Sequence, residues 1–309
     1  MGLFHCPMGA AYYDDEPCID CGMCSASSNE EKVEASRKIR AYLKSHSGKK
    51  DTIKKIVVAG KGGVGKSTIV ALIAGALMAN GYSVLVMDTD ESNPGLFRLF
   101  DFAEAPKPLM SLLGKFSPDA PAPGTEWLAR DQFAIDDIPP EFVLRRNGIR
   151  FLMVGKIEDP FQGCACSMAD ITRDLMEKLV VKDNEVVLVD MEAGVESFGR
   201  GVERNADTVL IIVEPSYESM AVAAKISFMA EGMGITRTGA ILNKVASGEV
   251  ARRMMEELGK QNVRGLGTVY FDPRVAEASF EGRPPGNSQA MQDVKAIIDS
   301  LLAETKKNP

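Results

Sequence analysis

Eight residues, Gly60-Lys61-Gly62-Gly63-Val64-Gly65-Lys66-Ser67, followed by Thr68, hold the first chemistry in the chain. Ahead of them Lys54 to Ala59 reads as a short buried β-strand, and behind them Thr68 to Asn80 reads as an apolar helix closed by Gly81. Strand, glycine-rich turn and helix in that order make a phosphate-binding P-loop. Its glycines let backbone N–H groups converge on phosphate oxygens, and the helix N-terminus adds unpaired donors and a favourable dipole. In such a loop Lys66 reaches the β/γ-phosphates and the Ser67 hydroxyl holds Mg²⁺. The stretch predicts nucleotide binding.

Sulfur supplies the second chemistry. Six cysteines stand at 6, 18, 21, 24, 164 and 166, and tight clusters in a nucleotide-binding protein point to metal or redox sites before structural disulfides. Cys18, Cys21 and Cys24 have the C-x2-C-x2-C spacing with which ferredoxins grip one face of a [4Fe–4S] cube. The next ligand position of a ferredoxin is Ser28 here, so the remote Cys6-Pro7 is the candidate to complete the set. Zinc competes, because four thiolates also close a tetrahedral site, and free surface thiols are the plain alternative. Gly163-Cys164-Ala165-Cys166 offers only two ligands. A two-fold dimer would bring four thiolates to its axis, enough for zinc, a cluster or a softer ion such as nickel. A buried or oxidised pair is the alternative. His5 and His46 are the two histidines, so a histidine-based triad has no support, although His5 beside Cys6 is a possible ligand.

Carboxylates supply the third. Tyr82 to Met87 reads as a strand ending in Asp88-Thr89-Asp90, and Glu185 to Val189 as one ending in Asp190. Acids at the carboxyl ends of parallel strands face the nucleotide crevice. Asp190 is the expected Walker B acid, acting on Mg²⁺ through water, and Asp190 to Glu196 (DMEAGVE) reads as switch II. Asp88 is expected to support the P-loop and magnesium side; a solvated strand end is the plain alternative for Asp90.

The elements that must position these groups fit 309 residues divided into a segment 1–50 and an ATPase domain 51–309. In the first, Asn29 to Ser45 is expected to form a polar helix with Ala35, Ile39, Tyr42 and Leu43 along one stripe, followed by a linker to Lys50. In the second, strands are expected at Ile149 to Val154, Thr208 to Glu214, Thr238 to Leu242 and Leu266 to Phe271. Helices are expected at Met168 to Leu179 and Met291 to Ala303, with an irregular, proline-rich stretch from Leu96 to Arg130 and Trp127 as a packing residue. The pattern predicts a doubly wound, mainly parallel α/β sheet. Val294, Ile297, Ile298, Leu301 and Leu302 form one apolar stripe with few basic neighbours, which favours core packing over membrane binding. Hydrophobic content of 45%, charged content of 26%, short apolar runs and no basic leader predict a cytoplasmic protein without membrane attachment. A net charge of -7 argues against a nucleic-acid partner.

With its second lysine, Lys61, the loop GKGGVGKST resembles the deviant Walker A motif of the MinD/ParA/nitrogenase-iron-protein class. That resemblance implies an ATP-driven homodimer in which Lys61 reaches the partner's nucleotide, and it puts Asp90 at the switch I position that orients the attacking water. DMEAGVE, the preceding GCAC and Val213-Glu214-Pro215-Ser216 together are similar to CooC-type ATPases, nickel-insertion accessory proteins of carbon monoxide dehydrogenase and acetyl-CoA synthase. The likeness spans residues 51–309, and the N-terminal cysteine segment, Ser167 and Ser197 depart from it. It implies that Asn243 reads adenine, that the loop Phe271-Asp272-Pro273-Arg274 flanks the base, and that a metalloenzyme client receives nickel or a cluster. An ATP-gated electron donor resembling the nitrogenase iron protein and an Mrp-type iron–sulfur carrier are the rival expectations; in the latter class the cysteine pair follows switch II, whereas here it precedes it.

Overall fold

The computed structural model describes residues 27–46, 53–90, 92–93, 95–112, 126–155, 165–195, 198 and 201–306. All six cysteine side chains lie outside the described residues, so the expectations placed on Cys6, Cys18, Cys21, Cys24, Cys164 and Cys166 do too.

Four β-branched and leucine-rich runs build the centre of the sheet. They are β1 (Lys55–Gly60), β2 (Ser83–Asp88), β7 (Glu185–Asp190) and β8 (Thr208–Val213), and nearly every residue in them is buried. Continuous rather than alternating apolar sequence is what a parallel strand covered on both faces requires. With β4 (Val143–Arg146), β5 (Ile149–Met153), β9 (Arg237–Val245) and β10 (Gly265–Tyr270), they form an eight-stranded sheet in the order β10-β9-β8-β1-β7-β2-β5-β4. All neighbouring pairs are parallel except β4 with β5. The fold is therefore the doubly wound, mainly parallel α/β sheet that the sequence predicts. A separate parallel pair, β3 (Phe133–Ala134) and β6 (Leu179–Val180), and the antiparallel edge strand β4 were not foreseen.

Helices cover both faces. Ile56, Val58, Val86 and Leu188 point to the side packed by α2 (Lys66–Ala79) and the C-terminal helix α7 (Gln289–Lys306). Val57, Leu85, Val187 and Val209 point to the side packed by α3 (Ala165–Lys178), α4 (Tyr217–Gly232) and α5 (Gly248–Lys260). Helix α2 approaches α7 closely at Gly75, where a Cβ would lie 2.9 Å from Met291 Cε. In α7, Val294, Ile297, Ile298, Leu301 and Leu302 are all buried, which places that stripe in the core. Among the described residues no helix is long and apolar enough to cross a membrane.

The N-terminal helix α1 (Asn29–His46) lies against α4 through buried Ala35 and Ile39. Trp127 is a packing residue, set edge-on to Phe133 with ring centroids 5.1 Å apart. Two boundaries differ from expectation. Helix α3 starts at Ala165 rather than Met168, and β9 runs to Val245, so Asn243 and Lys244 belong to the strand instead of following it. Asn243 is buried and Lys244 exposed, and the left-handed backbone of Lys244 (φ 57°) falls where the pairing of β9 with β10 shifts register.

Candidate nucleotide site

Strand β1 ends at the centre of the sheet, between β7 and β8, and delivers the loop Gly60 to Gly65 to the start of α2. Two glycines there are required by space as well as by backbone. Gly60 has φ 148°, and a Cβ on it would lie 2.5 Å from the Ile212 carbonyl oxygen. Gly65, at φ 91°, precedes the first residue of α2, and a Cβ on it would lie 2.6 Å from Asn243 Nδ2. Both positions therefore exclude side chains.

Strand β9 fastens the loop from behind. The Asn243 amide donates to the Val64 carbonyl at 2.8 Å, and Lys244 Nζ donates to the Gly63 carbonyl. In a trans peptide the C=O and N–H point in opposite directions. Holding the Gly63 and Val64 carbonyls toward β9 thus turns the N–H groups of Val64 and Gly65 away from it, as a phosphate cradle requires. Asn243 was expected at the base; it lines the base cavity, but its amide is committed to the loop.

Two cavities open from this point. One of about 180 Å³ is lined by Ile69, Leu72, Asn243, Val269, Tyr270, Phe271 and Val275, an apolar slot of the kind that takes a flat base. The other, about 410 Å³, is lined by Gly62, Gly63, Lys66, Ser67, Asp90, Asn93, Arg98 and Ala193. Gly65, Thr68 and Ser279 line both, so base and phosphate spaces are continuous. Asp272 and Pro273 adjoin the first cavity in a structural role. The Asp272 carboxylate caps α6 (Pro273–Glu281) by accepting from Arg274 N at 2.9 Å, and it accepts from Ala290 N at 3.2 Å near the start of α7. Burial tends to raise its pKa, but these backbone donors outweigh it and hold the carboxyl below its usual range.

The acidic strand ends meet where the register puts them. Asp88 pairs directly with Asp190 across β2 and β7. Thr89 locks the two ends together, its N–H and hydroxyl both donating to the Asp190 carbonyl at 3.1 and 2.8 Å. The Asp190 side chain is fully buried, and among the described residues neither carboxylate oxygen has a hydrogen bond of ordinary geometry. Burial pushes its pKa up to about 7; the nearby Ser67 hydroxyl and Lys66 pull it down, while Asp88 and Asp90 push it further up. A buried carboxylate that lacks a donor beside a serine hydroxyl is a donor set that fits Mg²⁺. Among the described residues no three of His, Cys, Asp or Glu converge on one point. The protein would then supply Asp190 and Ser67, with water and phosphate oxygens completing the shell.

Lys66 is 6% exposed, and its Nζ donates to the Lys61 carbonyl at 3.4 Å. Burial lowers its pKa, and the charges of Asp190, Asp90 and Glu192 oppose that shift. Asp90 Oδ1 accepts from the backbone and hydroxyl of Ser92 at 2.9 and 2.6 Å, which holds the carboxylate at the wall of the larger cavity. Asn93 is a site residue that sequence reasoning missed. Its amide donates to Ser67 Oγ at 2.9 Å while its own oxygen accepts from Gly95 N, so it fixes the orientation of the Ser67 hydroxyl. The asparagine three residues past Asp90 was the available signal. The segment expected to be switch II is tied to β1 by Met191 N to the Val58 carbonyl at 3.2 Å and to the start of the loop by Gly194 N to the Gly60 carbonyl at 3.0 Å.

Residues 55–285 match the family model described as the CobQ/CobB/MinD/ParA nucleotide binding domain. An uncharacterised ATP-binding protein of Methanocaldococcus jannaschii is 38% identical over 80% of this chain and 99% of its own. The carbon monoxide dehydrogenase accessory protein CooC of Rhodospirillum rubrum is 33% identical over 74% of this chain and 88% of its own. Among solved structures, the septum site-determining protein MinD with Mg-ADP from Pyrococcus horikoshii superposes with a TM-score of 0.60 at 16% identity, covering 82% of this chain and 99% of that one. That last likeness speaks to the fold alone.

Proposed function

Because the chain belongs to the CobQ/CobB/MinD/ParA family of nucleotide-binding domains, we propose that it is an ATPase serving metalloenzyme maturation. In this reading, ATP–Mg²⁺ closes a homodimer, and the cycle delivers nickel or a metal cluster to a client resembling carbon monoxide dehydrogenase/acetyl-CoA synthase. The observation that carries it is the 33% identity with CooC along the ATPase part of the chain, joined to a Cys164/Cys166 pair that precedes switch II.

Residue roles follow from the site. The N–H groups of the Gly60 to Thr68 loop cradle the phosphates, Lys66 neutralises the β/γ oxygens, and Asn93 aims Ser67 at the metal. Magnesium, when bound, neutralises charge that develops between the β- and γ-phosphates. Asp90, braced by Ser92, orients the attacking water for hydrolysis, and Lys61 contacts the partner subunit's nucleotide. Asn243 and the Phe271 to Pro273 turn bound the adenine. In the N-terminal segment, residues 1–50, Cys18, Cys21 and Cys24 in ferredoxin-like spacing and the remote Cys6 would supply the four thiolates that hold a [4Fe–4S] cluster. The protein works in the cytoplasm, without nucleic acid or membrane.

That same spacing favours a second reading, an ATP-gated electron donor whose electron resides on the N-terminal cluster.

Sedimentation of three full-length proteins tests the switch. Lys66→Ala should lose tight ATP binding, whereas Lys61→Ala should bind ATP and remain monomeric. ATP-dependent dimers of Lys61→Ala equal to those of wild type would refute the trans-acting lysine.

A further inference from the structure

Three charged groups from three elements meet beside the P-loop. Lys61 stands on the loop, Glu214 directly follows β8, and Lys244 lies in β9. Glu214 Oε1 is 3.8 Å from Lys61 Nζ, and Glu214 Oε2 is 3.5 Å from Lys244 Nζ. Lys244 also donates to the Gly63 carbonyl, so one lysine touches both the loop and the carboxylate. Its backbone has φ 57°, a left-handed conformation that residues with a Cβ adopt only when the surroundings impose it. The Glu214 side chain is 23% exposed, less than either lysine at 36% and 44%. The carboxylate is thus the fixed member of the trio.

We propose that Glu214 is the resting dock of Lys61, and that Lys244 is the cation that keeps this carboxylate paired when Lys61 leaves it for the partner subunit's nucleotide. The proposal rests on Lys61 acting across the dimer. Its physical content lies in the two oxygens of Glu214. Each oxygen faces one lysine, so departure of Lys61 never strands a half-buried carboxylate, which would be the costly outcome. The lysine most exposed to solvent, Lys244, is anchored to the loop it helps to shape. Among the described residues, Glu214 is the one carboxylate paired with Lys61. Glu214 therefore sets how readily the dimer forms without touching nucleotide or the reacting phosphate. It is a positioning residue.

The sign of two substitutions separates this exchange from a merely structural role. Dimer dissociation constants are measured by sedimentation on the full chain with Mg²⁺ and a non-hydrolysable ATP analogue, and analogue affinity is measured separately on dilute monomer. Glu214→Gln releases Lys61 in both protomers and should tighten the dimer about fourfold, since a part-exposed ion pair is worth roughly a factor of two per protomer. Lys244→Gln leaves Glu214 to Lys61 alone and should weaken the dimer beyond any change in analogue affinity. Glu214→Asp, which shortens the arm but keeps the charge, should fall between wild type and Glu214→Gln, and serves if the glutamine variant folds poorly. An unchanged or weaker Glu214→Gln dimer, with Lys61→Ala still monomeric, overturns the dock and leaves the trans-acting lysine standing. Wild-type dimers from Lys61→Ala overturn both.

Discussion

Glu203→Gln tests a carboxyl that the fold holds in its interior. Glu203 sits on the short helical turn Val202–Asn205 that packs against α3, with its side chain fully buried. Neither carboxyl oxygen has a hydrogen bond of ordinary geometry among the described residues. Burial raises its pKa from the usual 4.5 to about 8, opposed only by its own backbone N–H. A carboxyl whose folded pKa lies above its unfolded value contributes stability that is intact below the unfolded pKa and is lost as pH rises through the folded one. Between pH 5 and pH 9 the wild type should therefore lose about 4 kcal/mol through this group, at about 1.4 kcal/mol per pH unit up to pH 8. Glutamine cannot ionise, so Glu203→Gln lacks that slope. Its amide brings buried donors of its own, whose cost is the same at both pH values and cancels in the comparison. Denaturant and thermal unfolding of both proteins at pH 5 and pH 9, without nucleotide, measure the difference. Relative to wild type the variant should gain about 4 kcal/mol from pH 5 to pH 9, or about 6 °C in Tm for a chain of this size. Parallel pH profiles would show that Glu203 is ionised or solvated in the folded protein and refute the reasoning.

Two further predictions concern the nucleotide. If Asn243 holds the P-loop through the Val64 carbonyl, Asn243→Ala should weaken binding of base-free tripolyphosphate several-fold as well as of ATP, by calorimetry; a loss confined to ATP would return Asn243 to base reading alone. Asp90→Ala should still bind ATP–Mg²⁺ but hydrolyse it on the order of a hundredfold more slowly in single turnover, and an unchanged rate would remove Asp90 from the mechanism.

Much of the fold was legible because its central strands are short continuous apolar runs, each closed by a glycine or a carboxylate that breaks the apolar pattern. Lys55–Gly60, Ser83–Asp88 and Glu185–Asp190 lie within a residue or two of their expected limits for that reason. β4 was not legible, since Val143–Arg146 carries two arginines and becomes a strand only by pairing with β5. The extension of β9 through Asn243 and Lys244 was hidden for a similar reason. Polar residues break an apolar run, and only their bonds to the loop show why they stay in the strand. In the site, local spacing revealed the loop and the acids. The Asn93–Ser67 bond, the Glu214 pair and the orphaned Glu203 depend on contacts between distant positions, which no periodicity records.

If ATP closes a dimer that brings two Cys164/Cys166 pairs together, nucleotide should govern metal binding at those cysteines. Anaerobic metal analysis of the full chain with ATP, with ADP and without nucleotide, beside the Cys164→Ser/Cys166→Ser variant, measures it directly. One metal per dimer should bind, respond to nucleotide and disappear in the double variant, while the N-terminal chromophore and ATP binding remain. Metal bound there regardless of dimerisation, or a double variant that still matures the client, would contradict it and move the electron-donor reading ahead.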